Sequence, residues 1–382
     1  MFSIAICATC TTGDDLDDEV TAYKKGDYKT ELKLLQKEAD KGNAVAQFRL
    51  GVMYDDGKGV VQDYKEAFKW YKLAADQGFA GAQFGLGLMY ANGRGVPKNY
   101  KEAFKWYKLA ANQGHAGAQT NLGAMYAKGR GVAQDYKEAF KWYKLAADQG
   151  HAGAQFGLGL MYAKGQGVVQ NYKKAFKWFK LTADQGHADA QNNLGVMYAN
   201  GRGVPKDYKE AFKWFKLAAD QGHAGAQNNL GEIYYYGDGV LPDDNKAVRL
   251  FKLAADQGHA EALYNLGVMY AKGQGVVQNY KKAFKWYKLA ADQGHAGAQT
   301  NLGAMYAKGQ GVVQNYKEAS KWFKLAAEQG FALSKCFLAE MYINGHGIKR
   351  NPSMAKKMAK EGYEAGADYC KDVWEKYNLT NY

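Results

Sequence analysis

Three features of this chain predict an all-α solenoid of stacked, antiparallel helix pairs. Glycines at 42, 78, 114, 150, 186, 222, 258, 294, 330 and 366 recur every 36 residues without a gap, and a fixed period of that size marks an array built by repetition. Each period holds two stretches with apolar residues at helical spacing. A Gly-x-Gly turn separates the two. The 382 residues would ordinarily divide into two or three globular domains, but an array grows by stacking and needs no separate cores, so one elongated domain is expected. Only four prolines are present, with no Ser- or Pro-rich run, which leaves no obvious linker.

The copy from His115 to Gly150 shows how one unit is built. Ala118, Leu122, Met125 and Tyr126 recur at i, i+4, i+7 and i+8 and make one apolar face of a helix, termed A, from about Ala116 to Lys128. Gly129-Arg130-Gly131 stops it. Asp135, with Glu138 three residues on, is the signature of a capping box that starts helix B, and Gly150 is placed to end that helix. On helix B, Ala139, Trp142, Tyr143 and Ala146 share one face and must pack, whereas Lys137, Lys141 and Lys144 share the opposite face and must meet water. Gly123 lies inside helix A although glycine costs about 1 kcal/mol there relative to alanine. Its recurrence at 51, 87, 159, 195, 231, 267 and 303 implies a close approach of helices, with a small residue such as Ala146 opposite.

In chain order, residues 1–14 form an apolar N-terminal segment, MFSIAICATC and a polar tail, without the basic start of a signal peptide and too short to cross a bilayer. It is either a frayed end or the remnant of an export signal. Residues 15–42 are expected to cap the array with a diverged helix pair, broken at Gly26-Asp27, whose second helix carries Leu32, Leu34 and Leu35. Nine units fill residues 43–366. Those at 115–150 and 295–330 differ at few positions, whereas 223–258 departs furthest among the middle copies, with Leu250 in place of tryptophan and the run Tyr234-Tyr235-Tyr236. The last unit puts Met358 in place of tryptophan, and residues 367–382 supply a C-terminal capping helix with Trp374 and a tail.

The pattern AxxxLGxMYxxGxGVxxDYxxAxxWxxxAAxxG, which stands here from Ala118 to Gly150, resembles the Sel-one-like repeat (SLR), a relative of the tetratricopeptide repeat with a longer loop between helices. The resemblance covers roughly residues 43–366 and is specific, because Leu-Gly, Met-Tyr, Gly-x-Gly-Val, Trp and Ala-Ala recur in register. It implies a right-handed superhelical solenoid of antiparallel helix pairs, with A helices lining the concave side and B helices the convex side. It also implies an adaptor that holds proteins or peptides. Bacterial members are often exported, which favours a periplasmic or secreted location over the cytoplasm. Some exported relatives carry a cysteine pair in each repeat and are described as penicillin-binding or β-lactamase-like; this chain lacks those pairs in its central units, so their properties are not carried over.

The residues themselves offer little for chemistry. Histidines at 115, 151, 187, 223, 259 and 295 form a ladder, but packed helices lie about 8–10 Å apart and zinc ligands about 2 Å from one ion. Equivalent histidines therefore do not share a metal, and each is expected simply to open a helix. Loops such as Gly93-Arg94-Gly95-Val96 lack both the GxxxxGK[ST] pattern and a preceding strand, so they are turns. There is no GxSxG elbow and no HExxH. Nearly every ionisable residue has equivalents in other copies, whereas an active site needs its groups in different environments. Cys7 and Cys10 make a lone CxxC, and Cys336 and Cys370 fall on neighbouring A-type helices, able to pair only if their Cα atoms come within about 7 Å. No enzyme, metal or cofactor is expected.

The net charge of +13, from 51 basic and 38 acidic residues, follows the repeat and is not gathered into one arm. Lysines at 65, 69 and 72 recur through 317, 321 and 324 and would lay a basic strip along the convex side. That strip serves solubility, or binds an acidic protein, an anionic lipid or a surface polymer. Nucleic acid ranks last among partners, since arginine is scarce and the aromatics are committed to the apolar face.

Information for a specific partner must lie where the copies differ. On helix A one register reads Phe48, Phe84, Thr120, Phe156, Asn192, Asn228, Tyr264, Thr300 and Cys336. One turn on, Val52, Leu88, Ala124, Leu160, Val196, Glu232, Val268, Ala304 and Glu340 follow. This stripe is either a partner groove, apolar in its first half and more polar after residue 187, or the contact between adjacent A helices. Beside it run Asn121, Asn193, Asn229, Asn265 and Asn301. In the related tetratricopeptide repeats an equivalent asparagine can bind a peptide; the alternative is a hydrogen bond between helices. The expected function is a non-enzymatic protein-interaction scaffold that binds a peptide segment or partner protein on its concave face. An envelope protein that binds an anionic polymer or lipid is the first alternative, and a β-lactamase-like hydrolase the second.

Overall fold

The computed structural model describes residues 26–381. The apolar N-terminal segment, Cys7, Cys10 and the first capping helix lie outside the described residues. Within them the chain is all-α: twenty α-helices and a terminal 3₁₀ turn, with no strand. α1 is Tyr28–Asp40. The A helices are α2 Ala44–Asp56, α4 Ala80–Asn92, α6 Ala116–Lys128, α8 Ala152–Lys164, α10 Ala188–Asn200, α12 Ala224–Tyr236, α14 Ala260–Lys272, α16 Ala296–Lys308 and α18 Ala332–Asn344. Between them stand the B helices α3 Tyr64–Asp76, α5 Tyr100–Asn112, α7 Tyr136–Asp148, α9 Tyr172–Asp184, α11 Tyr208–Asp220, α13 Asp244–Asp256, α15 Tyr280–Asp292, α17 Tyr316–Glu328 and α19 Pro352–Glu364, and α20 is Tyr369–Lys376. The contacts divide into two compact units, one ending at Gln185 and the other beginning at Gly186.

Local chemistry sets each boundary. α6 stops at Gly129, which takes φ +64° and donates its N–H to Met125 O, and α7 starts where Asp135 accepts hydrogen bonds from the N–H groups of Lys137 and Glu138. The expected capping box closes on one side only. The Asp135 N–H goes to Tyr126 O at 3.0 Å, so Glu138 has no orphan donor to reach back to and faces Lys141 instead. That backbone bond, repeated by Asp63 to Tyr54 and Asn99 to Tyr90, ties the start of helix B to the end of helix A and fixes the reversal.

The packing corrects one expectation. The sequence points to a small residue such as Ala146 opposite Gly123, but a Cβ on Gly123 would lie 2.9 Å from the Tyr143 ring. Tyr107 sits likewise against Gly87, and Phe179 against Gly159. The glycine is a socket for a ring, which buries more apolar area than an alanine.

Copies touch through two further devices within each unit. The second glycine of each turn meets the previous B helix: a Cβ on Gly131 would lie 2.2 Å from Tyr100 O, and one on Gly167 2.3 Å from Tyr136 O. A buried amide ladder runs beside it. Gln119 donates to Ala111 O at 3.1 Å on the preceding B helix and accepts from Gln149 at 2.8 Å on its own. Gln47, Gln83, Gln155, Gln191, Gln227 and Gln299 are buried in the same place, whereas Leu263 and Lys335 replace the amide in two copies.

At the C-terminal end Cys336 and Cys370 form a disulfide, with Cα atoms 4.8 Å apart. Gly362 stands where other B helices carry Ala146 or Thr182, because a Cβ there would lie 2.2 Å from Cys370 Sγ.

Candidate functional site

Helix A buries Ala118, Gln119, Leu122, Gly123 and Met125, which leaves the face of Gly117, Thr120, Asn121, Ala124 and Lys128 open. All the sequence-predicted site residues fall on this face. In the first unit Phe48, Phe84, Leu88, Thr120, Asn121, Phe156 and Leu160 are half-buried. In the second, Asn192, Asn193, Asn229, Glu232, Tyr264, Asn265 and Asn301 are half-buried, while Asn228 and Thr300 are 2% and 1% exposed and closed to a partner.

What half-covers the stripe is the residue that opens the next A helix. Phe84 stacks on His115 with ring centroids 4.5 Å apart, and Tyr264 on His295 at 4.6 Å. Phe48 lies 5.0 Å from Phe79, and Thr120 hydrogen-bonds His151 at 3.0 Å. Thr300 meets Ser334 at 2.6 Å. Phe156 tilts against Phe179 of its own copy, centroids 5.7 Å apart, as Phe84 does against Tyr107 and Tyr264 against Tyr287. The asparagines are engaged between helices: Asn229 donates to Asn192 at 3.0 Å, and Asn265 to Asn228 at 3.1 Å and to Glu232 at 3.2 Å. Asn121 stands beside the Tyr107 hydroxyl, and Asn301 beside those of Tyr264 and Tyr287. Asn193 turns back to its own helix at Asp189 O. Burial raises the Glu232 carboxyl above the usual range, with the Asn228 and Asn265 amides opposing that rise.

The two units present different open faces. Phe84, Leu88, Phe156 and Leu160 stand among glycines in the first, whereas Asp189, Glu232 and Glu261 punctuate the second; lysines close the helix in both, at 128 and 164 and at 272 and 308.

Four histidines of the ladder, 115, 223, 259 and 295, cap helices through their side chains, whereas His151 and His187 make no such cap bond. His115 Nδ1 accepts from Ala118 N–H at 3.2 Å, His223 from Ala226 at 2.9 Å and His295 from Ala298 at 3.0 Å. No group able to hold a metal ion occurs among the described residues. Burial holds the His115, His151 and His259 imidazoles below their ordinary pKa. The unfolded chain therefore binds more protons, so their contribution is full above about pH 6.5 and is lost as pH falls through the folded pKa. Thermal melts should drop between pH 7 and 5.5. Changing all three to asparagine, the cap that Asn43 already provides for α2, should flatten that drop by at least half; an unchanged slope would exclude the ladder as its source.

On the B helices part of the expected basic strip is tied into ion pairs, while Lys65, Lys101 and Lys137 of the same strip pair with no acid among the described residues. Lys69 pairs with Glu66, Lys72 with Asp76, Lys105 with Glu102, Lys144 with Asp148 and Lys216 with Asp220, the i,i+3 and i,i+4 spacings at which helical charges meet. Leu109, Leu145 and Leu181 stand exposed among them.

The Sel1 repeat family model matches nine consecutive segments, 44–79, 80–115, 116–151, 152–187, 188–223, 224–259, 260–295, 296–331 and 332–366. Among solved structures, the chain is similar to a protective antigen of uropathogenic Escherichia coli strains that displays an SLR fold, at 31% identity and TM-score 0.63, over 95% of this chain and 91% of that one. It is similar also to a Sel1 repeat protein from Oxalobacter formigenes, at 36% identity and TM-score 0.60, over 64% of this chain and 97% of that one. No curated protein matches.

Proposed function

We propose that this chain, which belongs to the Sel1 repeat family, is a non-enzymatic scaffold that holds a peptide segment or partner protein on the open face of its A helices. Sel1 repeat proteins generally serve as protein-interaction scaffolds and are typically non-catalytic. One observation carries the choice of face: its positions change from copy to copy, as with Leu88, Leu160 and Glu232 at one register, while the B helices scarcely vary. Invariant positions specify packing; only variable ones can distinguish a partner. The half-buried Phe84, Leu88, Phe156 and Leu160 supply apolar area for contact. Ion pairs take up part of the B-face charge and leave less of it for an anionic polymer. The Cys336–Cys370 bridge supports an exported protein in an oxidising compartment.

Peptides selected from a random display library against the whole chain test this. Binding should fall more than tenfold in a Leu88→Glu, Leu160→Glu variant. Glu232 and Glu340 occupy the same register natively, so the variant should keep its helicity and melting temperature. Undiminished binding of every selected peptide would reject the face.

A further inference from the structure

A cavity of about 300 Å³ opens at the C-terminal end of the second unit's open face, between α16, α17, α18 and α20. Two residues together create it. Ala304, like Ala124, leaves open the space that Leu88 and Leu160 fill at the same register, and Phe337 stands at that of Asn121 and Asn301, which puts a ring where those copies have an amide. Phe337 stacks on Phe323 with centroids 4.9 Å apart, and Tyr369 leans on Phe337 at 5.4 Å. The disulfide at Cys336 and Cys370 holds the backbone next to both Phe337 and Tyr369, so these walls are fixed in place.

The charges around the cavity are not balanced alike. Glu340, in its wall, is satisfied within the chain: Tyr369 Oη donates to one carboxylate oxygen at 2.9 Å and Lys376 Nζ to the other at 3.2 Å. Lys308 lines the cavity too, but its exposed ammonium has no acidic partner among the described residues. An apolar, ring-lined hole beside one unanswered positive charge fits a bulky apolar side chain with a carboxylate next to it.

We propose that this cavity is an anchor site for the C-terminal residue of a peptide, an aromatic side chain in the hole and its α-carboxylate on Lys308. The proposal rests on the scaffold function and names its ligand class. The size agrees, since about 300 Å³ is at the lower end of ligand cavities and takes one large side chain. Aromatic rings meeting edge or face supply the contact.

N-acetylphenylalanine and its amide are the probes, titrated into the whole oxidised chain by ligand-detected NMR. The acid should bind with Kd on the order of 1 mM, as suits a fragment of that size, and at least fivefold more tightly than the amide at low salt. Ala304→Leu, which installs the side chain native at 88 and 160, should abolish binding of both. Lys308→Gln, at an exposed site, should erase the difference between acid and amide while the amide still binds. Equal binding of acid and amide to the unaltered chain, or an acid signal untouched by Ala304→Leu, would overturn the proposal. The Leu88→Glu, Leu160→Glu chain separates the two failures: probe binding with no loss of peptide capture rejects the open face alone, and lost capture without probe binding rejects the cavity alone.

Discussion

Replacing Gly131 with alanine is expected to destabilise the array by about 3 kcal/mol, from about 1–2 kcal/mol for a left-handed L-residue and a similar amount for overpacking. Gly131 has φ +72° and would place a Cβ 2.2 Å from Tyr100 O and 2.5 Å from its carbonyl carbon. No side-chain rotation relieves that overlap, so the turn must move off α5. Gly150 is the control. Its φ is +85°, but nothing lies within 4 Å of the Cβ position, so Gly150→Ala should lose only the conformational part. Denaturant melts of the two variants measure the difference, which reports the contact between copies. Equal losses would mean that the turn does not press on the preceding helix. Since such arrays are stabilised by copies and their nearest-neighbour interfaces, hydrogen exchange in the Gly131 variant should quicken most around α5 to α7.

Removal of the disulfide should have an effect of like size at the other end of the chain. Cys336 and Cys370 are 34 residues apart, and closing a loop of that length restricts the unfolded chain by about 4 kcal/mol in the chain-entropy model. Cys336→Ala with Cys370→Ala should therefore unfold α18 to α20 at lower denaturant and leave the first unit's exchange rates unchanged. Reductant should do the same to the native chain and nothing to the variant. Gly362 sharpens the expectation, because the helix has given up a side chain there to admit Cys370. An unchanged melt on reduction would show that packing of Val373 and Leu379, both buried, holds the cap alone.

Much of the fold was legible because its signals are local. Apolar spacing between glycines marks α6 at Ala116–Lys128, the bounds the structure has, and Asp135 announces the start of α7. What was not legible depends on which of several residues on one face reaches across. Ala146 and Tyr143 both face inward on α7, and spacing alone does not say that the ring seats on Gly123. The glutamine ladder was missed because Gln119 reads as polar, although burial between two helices satisfies its amide at both ends. The ion pairs that divide the lysine strip were in principle readable, since Lys69 follows Glu66 by three residues and Lys72 precedes Asp76 by four. At the candidate site the open face was readable from period and variation. The burial of Thr300 was not, because it is set by Ser334 at the start of the next helix. The cavity needs residues from four helices, and no single copy displays it.

Hydrogen exchange on the chain with a selected peptide bound tests the central claim most directly. Slowed exchange is predicted in the segments that present the variable face, Ala80–Asn92 and Ala152–Lys164, with little change in the B helices Tyr100–Asn112 and Tyr136–Asp148. Protection confined to those B helices, with the A helices unaltered, would contradict it.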